Sequence, residues 1–285
     1  MAMSFVQHGD IKLNDNVNVV LQSWKMPDNE YTVNQKVTLH RLLSHRAGTI
    51  EGSYQYSNDK PIPTLLQVLN GESPAVNPPV EVTFVPGSEF IYSNLGYCVI
   101  EQILTDITGK PFYEIVKQTV FDPLNMNNSS FEQLLPAQRE NNYSSGHYTL
   151  GSVVPGKYMI TSNIAAGGIW TTAEDLAKFI IEAQLSFKSQ SNKILSKQYM
   201  DIWDAPVTQI SSEMSENYAL GISNYSVEGY AYFGHGGSID GFSGKIFASK
   251  DYGYGIVVLT NYNNSNEFAK KIINLAAKLY GWKGF

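Results

Sequence analysis

Apolar residues recur every three or four positions over the first two thirds of the chain, the spacing of helices that bury one face. The clearest pattern runs from Leu95 to about Thr108 and ends at Gly109, a residue type that commonly terminates helices. Polar starts or glycine stops also mark shorter helices at 1–8, 39–45, 63–70, 111–124, 172–187 and 196–203. The long irregular stretch at 124–168 is rich in Asn, Ser, Gly and Tyr, and we expect a functional loop or lid there.

From Asn217 onward the pattern becomes extended. Four β-like runs are separated by turns too short for parallel crossovers, so the strands must pair antiparallel. A closing helix follows, and we expect its apolar face to pack on the sheet through Phe268, Ile272, Ile273, Leu275, Ala276 and Leu279. The pattern predicts an α+β protein with a single domain over 1–285. A mostly helical lobe over about 10–205 lies beside an antiparallel sheet with its closing helix over about 215–285.

Composition and charge exclude several classes of function. The net charge is −6 and the sequence has no basic run, which argues against a nucleic-acid partner. Cys98 is the only cysteine, so we expect a buried apolar thiol and no disulfide within the chain. The five histidines form no HExxH motif, and we predict neither a metal nor a cofactor.

The sequence leaves the cellular compartment open. Its apolar runs are all too short to cross a membrane. The first residues lack the basic start of a signal peptide. We therefore expect a periplasmic or extracellular protein if the full-length protein carries a signal peptide, and a cytoplasmic one otherwise.

Two short motifs carry candidate chemistry. Tyr92-Ser93-Asn94 lies where a loop enters the clearest helix, so a phenol and a carboxamide can point into one cleft. The alternative is that Ser93 or Asn94 only caps the helix. Residues 235–238, His-Gly-Gly-Ser, follow a predicted strand, and the two glycines allow the backbone to approach a ligand closely. The alternative there is a glycine-rich hairpin end with an incidental histidine.

Four segments together resemble the serine β-lactamases of class C type and their relatives, the D,D-peptidases and family VIII esterases. VTLHRLLSHRAG at 37–48 and AAGGIWTTAEDLAKF at 165–179 are similar to segments of that family. Tyr92-Ser93-Asn94 matches its Tyr-x-Asn motif, and His235-Gly236-Gly237 matches its Lys-Thr-Gly position. The resemblance covers the chain from end to end and implies a β-lactamase/transpeptidase-like fold.

The resemblance also implies roles in acyl transfer through a serine ester. Tyr92 is then the base or proton shuttle, and Asn94 holds the substrate amide or a lysine. His235 takes the place of a second cation. Gly236, Gly237 and Ser238 form the substrate-binding and oxyanion segment, with the Ser238 N–H as a donor. A phenol with a pKa of about 10 is only about 0.1% ionised at pH 7, so its use as a base requires roughly 4 kcal/mol of stabilisation from cations.

The family's nucleophile lies in a Ser-x-x-Lys motif at the start of a long helix. The sequence contains that spacing once, at Ser57–Lys60, in a polar stretch followed by Pro61 and Pro63, and we interpret this match as coincidental. Residues 2–11 resemble the second half of the nucleophile helix, so we expect the nucleophile and the preceding strands to be missing. Three explanations remain: a fragment of a normal enzyme, a truncated homologue without catalysis, or a second chain that supplies the missing part. We favour the first because Tyr92, Asn94 and His235 are all retained.

Two functional hypotheses follow. The first is a serine hydrolase that acts on a β-lactam, a D-Ala-D-Ala-type peptide or an ester, with a chain that is nearly inactive alone. The second is a non-catalytic homologue that binds a peptidoglycan-like or other ligand. In both, missing strands would leave a sheet edge exposed, so we also expect a homodimer through that edge or a covered edge.

Overall fold

The computed structural model describes residues 1–52, 54–139, 142–148, 151–263 and 265–285. The helices are α1 (Ala2–His8), α2 (Leu39–Leu43), α3 (Leu65–Asn70), α4 (Asn94–Thr108), α5 (Phe112–Val116), α6 (Asp122–Leu124), α7 (Ile164–Gly167), α8 (Ala173–Phe187), α9 (Lys197–Trp203) and α10 (Asn266–Leu279). The strands are β1 (Gln55–Ser57), β2 (Met159–Thr161), β3 (Thr208–Gln209), β4 (Asn217–Tyr218), β5 (Ser223–Val227), β6 (Tyr230–Ile239), β7 (Phe242–Ser249) and β8 (Gly255–Thr260).

The described residues form two compact units. The first comprises 1–119, 130–136 and 159–170, and the second comprises 120–129, 137–158 and 171–285. Residues 171–205 cluster with the sheet, whereas the sequence pattern alone placed them with the helical lobe. The irregular stretch at 124–168 contains only short elements and is divided between the two units.

Helix α4 is the centre of the first unit. Ser93 caps its start, and Gly109 in the left-handed conformation (φ 66°) ends it. Its side chains are buried around most of the helix, with α2, α3, α5 and α7 in contact with it. Cys98 is one of these buried residues, as predicted. Because α4 is enclosed on several sides, polar residues as well as apolar ones are drawn into the core.

Two helix ends differ from the sequence expectation. Helix α2 ends at Leu43 because His45, two residues later, adopts a left-handed backbone conformation (φ 54°). The Asp122-Pro123 pair begins α6 rather than stopping a helix. A π-helical turn at Lys117–Phe121 joins α5 to α6, so Pro123 lies within a continuous helical stretch.

The second unit is built on a six-stranded antiparallel sheet. Its strand order is β3-β4-β5-β6-β7-β8, so consecutive strands are neighbours throughout. Tyr232 and Phe233 are both fully buried although adjacent strand residues point to opposite faces. Phe233 contacts Phe187 of α8, and Tyr232 belongs to the cluster that includes Ile273 of α10. The sheet is therefore covered by a helix on each face, which confirms the predicted α+β architecture.

The predicted apolar face of α10 is partly wrong. The helix packs on the sheet through Ala269, Ile273 and Ala277, whereas Leu275 and Leu279 are exposed, Leu279 by 74%. Small alanines allow the helix to approach the large aromatic residues that fill this face of the sheet, such as Tyr232, Phe247 and Trp282. The exposed residues form a second apolar stripe along α10.

In the part of the chain that the structure describes, no helix is long and apolar enough to cross a bilayer. Nor do three or more His, Cys, Asp or Glu side chains among those residues form a group suited to a metal ion.

Candidate active site

Ser93 is the structural centre of the Tyr-x-Asn motif. Its hydroxyl accepts hydrogen bonds from the Gly96 N–H (3.0 Å) and the Thr49 hydroxyl (3.0 Å), and it donates to the Ile50 carbonyl (2.7 Å). A hydroxyl has one donor and two acceptor positions, so all three are used. Ser93 is 1% exposed. The two interpretations of the motif therefore apply to different residues. Ser93 caps the helix, and Tyr92 and Asn94 are the candidate site residues.

Tyr92 and Asn94 flank this buried serine and are accessible. Tyr92 is 37% exposed, and Asn94 is half-buried as the first residue of α4. The N-terminus of a helix carries a partial positive charge that favours a nearby anion. A phenolate or an anionic substrate group beside Asn94 would gain from this field.

A histidine that the sequence analysis did not single out holds the segment before α4. The Ser93 N–H donates to Nδ1 of His45 (3.0 Å), and the Ile91 N–H donates to the His45 carbonyl (2.9 Å). The His45 ring lies against the Tyr92 ring, with ring centroids 3.9 Å apart. In the sequence, His45 lies in the segment at 37–48 that resembles the family, but this resemblance did not indicate which residues the histidine contacts.

A buried acid lies two turns along α4 from Asn94. Oε2 of Glu101 accepts a hydrogen bond from the Ala165 N–H (3.0 Å) in the first turn of α7, whose cap residue Asn163 makes no side-chain capping bond. Burial raises the pKa of Glu101 to about 8, although the bond from Ala165 opposes this shift. The carboxyl is therefore largely protonated at neutral pH, and it ties part of the 165–179 segment to α4.

The His-Gly-Gly-Ser segment lies inside a strand rather than at its end. Strand β6 continues to Ile239, with Gly236 opposite Lys245 and Ser238 opposite Ser243 on β7. Strand β5 pairs with β6 only as far as Gly234. Residues 235–239 therefore have a strand neighbour on one side only among the strands described, and the other edge faces away from the sheet.

There is room at this edge for a ligand. Gly236, Gly237 and Ser238 are exposed. A Cβ added at Gly237 would have no heavy atom within 4 Å, and at Gly236 the nearest would be the Gly244 carbonyl oxygen at 3.7 Å. The glycines therefore keep the backbone accessible, as the sequence analysis expected.

His235 is half-buried on the neighbouring position of β6. Burial lowers the pKa of its imidazole; the Glu216 carboxylate acts to raise it and the Lys245 ammonium to lower it, and the net pKa lies below the usual 6.5. The ring is therefore mainly neutral at pH 7. It can accept or donate a proton in this state, but it is not a standing cation.

A loop that the sequence could not assign packs against the turn after this segment. The His147 N–H donates to the Gly241 carbonyl (3.2 Å), and the Tyr148 hydroxyl donates to Asp240 (3.4 Å). Gly241 has a φ of 85°, and a Cβ there would lie 2.5 Å from Val154 and 2.8 Å from Gly146. Gly146, His147, Tyr148 and Val154 therefore pack against the end of the β6–β7 hairpin, and a functional role for this part of 124–168 stays a prediction.

Two other sequence motifs have structural roles. Asp175 is fully buried and accepts hydrogen bonds from the Asn128 N–H (2.8 Å) and the Ser129 hydroxyl (2.9 Å), so this aspartate anchors the turn at 125–129. Ser57 ends strand β1, and its hydroxyl donates to Asp59 in the following turn. Ser57 is thus not at a helix start, and it lacks the context that a Ser-x-x-Lys nucleophile requires.

The structure brings Tyr92 and Asn94 together at the start of α4, and it aligns residues 235–238 along one strand edge. The first pair lies in one compact unit and the second group lies in the other. That both contribute to one cleft stays a prediction.

Comparisons with known proteins agree on one family. The family model described as Beta-lactamase matches residues 1–280. Protein flp of Staphylococcus aureus strain COL is 27% identical over 95% of this chain, which spans about half (51%) of that protein. The octameric penicillin-binding protein homologue from Pyrococcus abyssi superposes with a TM-score of 0.76 at 24% identity, over 98% of this chain and 62% of that one. A class C β-lactamase superposes with a TM-score of 0.70 at 19% identity, over 95% of this chain and 76% of that one.

Proposed function

Because the chain belongs to the β-lactamase family, we propose that it forms the base-bearing part of a serine-type acyl-transfer site. The substrate class is a β-lactam, a D-Ala-D-Ala-type peptide or an ester. The observation that carries the proposal is the alternation of accessible and buried side chains at 92–94. The buried Ser93 fixes the backbone and leaves Tyr92 and Asn94 accessible at the N-terminus of α4. This arrangement is what a phenol base and a neighbouring carboxamide need in order to meet a substrate in a fixed geometry.

We also propose a substrate-binding element at the strand edge of residues 235–238 in the other compact unit. Exposed backbone beside Gly236 and Gly237 suits an extended substrate that pairs with a sheet edge. The Ser238 N–H is the proposed oxyanion donor. The lowered pKa of His235 disfavours a permanent cation at this position, so we assign His235 to substrate binding or proton transfer.

The proposed nucleophile lies outside this chain, since its single Ser-x-x-Lys match is in a strand and turn. We expect the purified 285-residue chain to hydrolyse neither nitrocefin nor p-nitrophenyl acetate above background, and to gain no mass from a β-lactam. Loss of one oxyanion donor alone costs about 3 kcal/mol in activation free energy, and here the nucleophile is also lacking. Intact-mass spectrometry and both assays test this, with Ser57→Ala as the matched control. Stoichiometric acylation of the chain would refute this assignment. Acylation that disappears in Ser57→Ala would identify Ser57 as the nucleophile, and acylation that persists would place the nucleophile elsewhere in the chain.

The alternative function is ligand binding without chemistry. It rests on the same accessible Tyr92 and Asn94, which can bind a D-Ala-D-Ala peptide whether or not a nucleophile is supplied. Calorimetry with acetylated D-Ala-D-Ala separates the alternatives. Heat of binding that is weakened in Tyr92→Phe, without any turnover by the chain, favours a binding module. The absence of heat with each of the three substrate classes counts against it.

A second copy of the chain is the partner that fits the open edge of the sheet. Strand β8 is the last strand, and among the described residues its outer edge pairs with no other strand. Two copies that pair antiparallel through β8 would place α10 beside its symmetry mate, so the exposed stripe of Leu275 and Leu279 would be buried. In that antiparallel packing Glu267, near the start of α10, would face Lys278 near the end of its mate.

We therefore expect a concentration-dependent dimer in analytical ultracentrifugation. Leu279→Asp should shift it to monomer, because it places a charge in the apolar stripe. Leu134→Asp, at an exposed leucine of the other compact unit, is the matched control and should leave the dimer intact. A wild-type chain that stays monomeric at high micromolar concentration would contradict this partner.

A further inference from the structure

His45 is a buried histidine to which no role in acyl transfer has been given above. It lies in the loop after α2, is fully enclosed by protein, and adopts a left-handed backbone conformation (φ 54°) that most side chains avoid. Backbone strain of this kind persists where the surrounding structure requires it. The residues that surround it belong to the segment that carries Tyr92.

The contacts of His45 with that segment involve both its backbone and its ring. Its carbonyl accepts from the Ile91 N–H, and Nδ1 accepts from the Ser93 N–H. Its ring lies against Tyr92 with centroids 3.9 Å apart and planes tilted by 32°. Tyr97 lies 5.1 Å from the ring centroid and Phe90 lies edge-on at 6.0 Å.

The hydrogen bond at Nδ1 fixes the chemical form of the ring. An imidazole nitrogen that accepts a hydrogen bond carries no proton, so the proton of a neutral His45 lies on Nε2. The ring is thus neutral. Its Nδ1 atom accepts a hydrogen bond from the backbone, and one of its faces lies against Tyr92. Tyr92 is 37% exposed, so the His45 ring supports it from the protein side while part of the tyrosine is accessible to solvent.

We infer that His45 is a positioning residue for Tyr92. Its ring contacts the phenol of Tyr92, and its Nδ1 atom accepts a hydrogen bond from the backbone N–H of Ser93. This inference rests on the proposed function only in calling Tyr92 the base. A base must be held within a fraction of an ångström of its working position by residues that are themselves fixed. The two links act on different atoms, so they can be separated by substitution.

Two variants separate the links. His45→Asn keeps an acceptor at the place of Nδ1, tolerates the left-handed conformation and removes the ring. His45→Phe keeps a ring and removes the acceptor, so the buried Ser93 N–H loses its partner. His40→Asn, at a partly exposed histidine of α2, is the matched control.

The experiment follows Tyr92 by ¹⁹F NMR of the full chain labelled with 3-fluorotyrosine, and it follows stability by thermal unfolding. The Tyr92 resonance is assigned with Tyr92→Phe, and the highly exposed Tyr280 provides the reference for a free ring. We expect the Tyr92 line to be broader than that of Tyr280 in the wild type. In His45→Asn it should narrow toward the Tyr280 width, and the unfolding midpoint should fall because the loss of the buried ring leaves a cavity. In His45→Phe it should stay broad while the midpoint falls, and in His40→Asn neither should change.

A role in general stability alone predicts another pattern. If His45→Phe narrows the Tyr92 line as much as His45→Asn does, or if His45→Asn leaves the Tyr92 line broad, the positioning role is refuted. The readout is the motion of one ring, so it is independent of substrate. Stoichiometric acylation of the chain would refute the proposed function and leave this result standing.

Discussion

Replacing Ser93 with alanine should lower the free energy of unfolding by about 3 kcal/mol. The substitution removes an N-cap, which typically costs about 1 kcal/mol. It also removes the partner of the buried Thr49 hydroxyl and of the Ile50 carbonyl, and an unsatisfied buried polar group costs roughly 1–3 kcal/mol. Urea unfolding of both proteins at pH 7, followed by circular dichroism, measures the difference.

The matched control is Thr64→Ala at the start of α3. Thr64 also caps its helix through a side-chain oxygen, which accepts from the Gln67 N–H, but it is exposed. Because water can replace the lost bonds there, we expect a cost of about 1 kcal/mol. If Ser93→Ala costs no more than Thr64→Ala, the three bonds of the Ser93 hydroxyl do not act as a buried network. That result would also weaken the case that Ser93 holds Tyr92 and Asn94 in place.

The helix caps at Ser93 and Thr64 show which structural features can be predicted from the sequence. Both caps, and the glycines that end α3 and α4, follow from residues within one turn of each helix, so the pattern predicts them. The six-stranded meander is predictable for the same reason, since each strand pairs with its neighbour in sequence. The antiparallel sheet flanked by helices is therefore confirmed, and so is the resemblance to the β-lactamase family.

What the sequence left out depends on contacts between distant segments. His45 binds Ser93 across 48 positions, and no local pattern pairs them. The burial of Glu101 follows from the several elements that enclose α4, whereas a helix with a single apolar stripe would have placed that residue in solvent. The face that α10 presents was also predicted incorrectly, because the size of the aromatic residues on the sheet decides which side of a helix can approach.

The same division applies to the candidate site. Sequence motifs predicted a site at residues 92–94 and 235–238 from residue types that suit acyl-transfer chemistry. Composition predicted a loop over 124–168, but it did not show that His147 and Tyr148 of this loop pack on the β6–β7 turn. Motifs therefore predict candidate reactive groups, whereas the residues that hold those groups in place emerge only from the three-dimensional structure.

Glu101 gives the second large effect, which is a loss of stability as the pH rises. The pKa of this carboxyl is raised by burial from 4.5 to about 8, so between these values the folded protein binds a proton that the unfolded chain has released. Stability is therefore highest below pH 4.5 as far as this group is concerned, and it falls as the pH rises toward 8. Between pH 5 and 8.5 the contribution amounts to about 4 kcal/mol, a large share of the stability of an ordinary domain.

Glu101→Gln should remove this dependence. The glutamine is nearly isosteric, stays neutral and keeps an oxygen that can accept from the Ala165 N–H. Urea unfolding at pH 5 and pH 8.5 should show the variant gaining about 4 kcal/mol relative to the wild type between the two pH values. His235, whose pKa is lowered, contributes in the opposite direction, since its stabilisation is lost as the pH falls; it is present in both proteins and cancels in the comparison.

An exposed glutamate provides the control for net charge. Glu72→Gln changes the charge of the chain by the same amount outside the core and should leave the wild-type pH dependence unchanged. If Glu101→Gln and the wild type lose stability in parallel from pH 5 to 8.5, then Glu101 is ionised in the folded protein at little cost. Water or a cation would then have to reach the carboxyl, and the hydrogen bond that joins α4 to α7 would be exposed to solvent. A wild-type loss that exceeds the variant's by about 4 kcal/mol instead supports a neutral carboxyl that caps α7 from within the core.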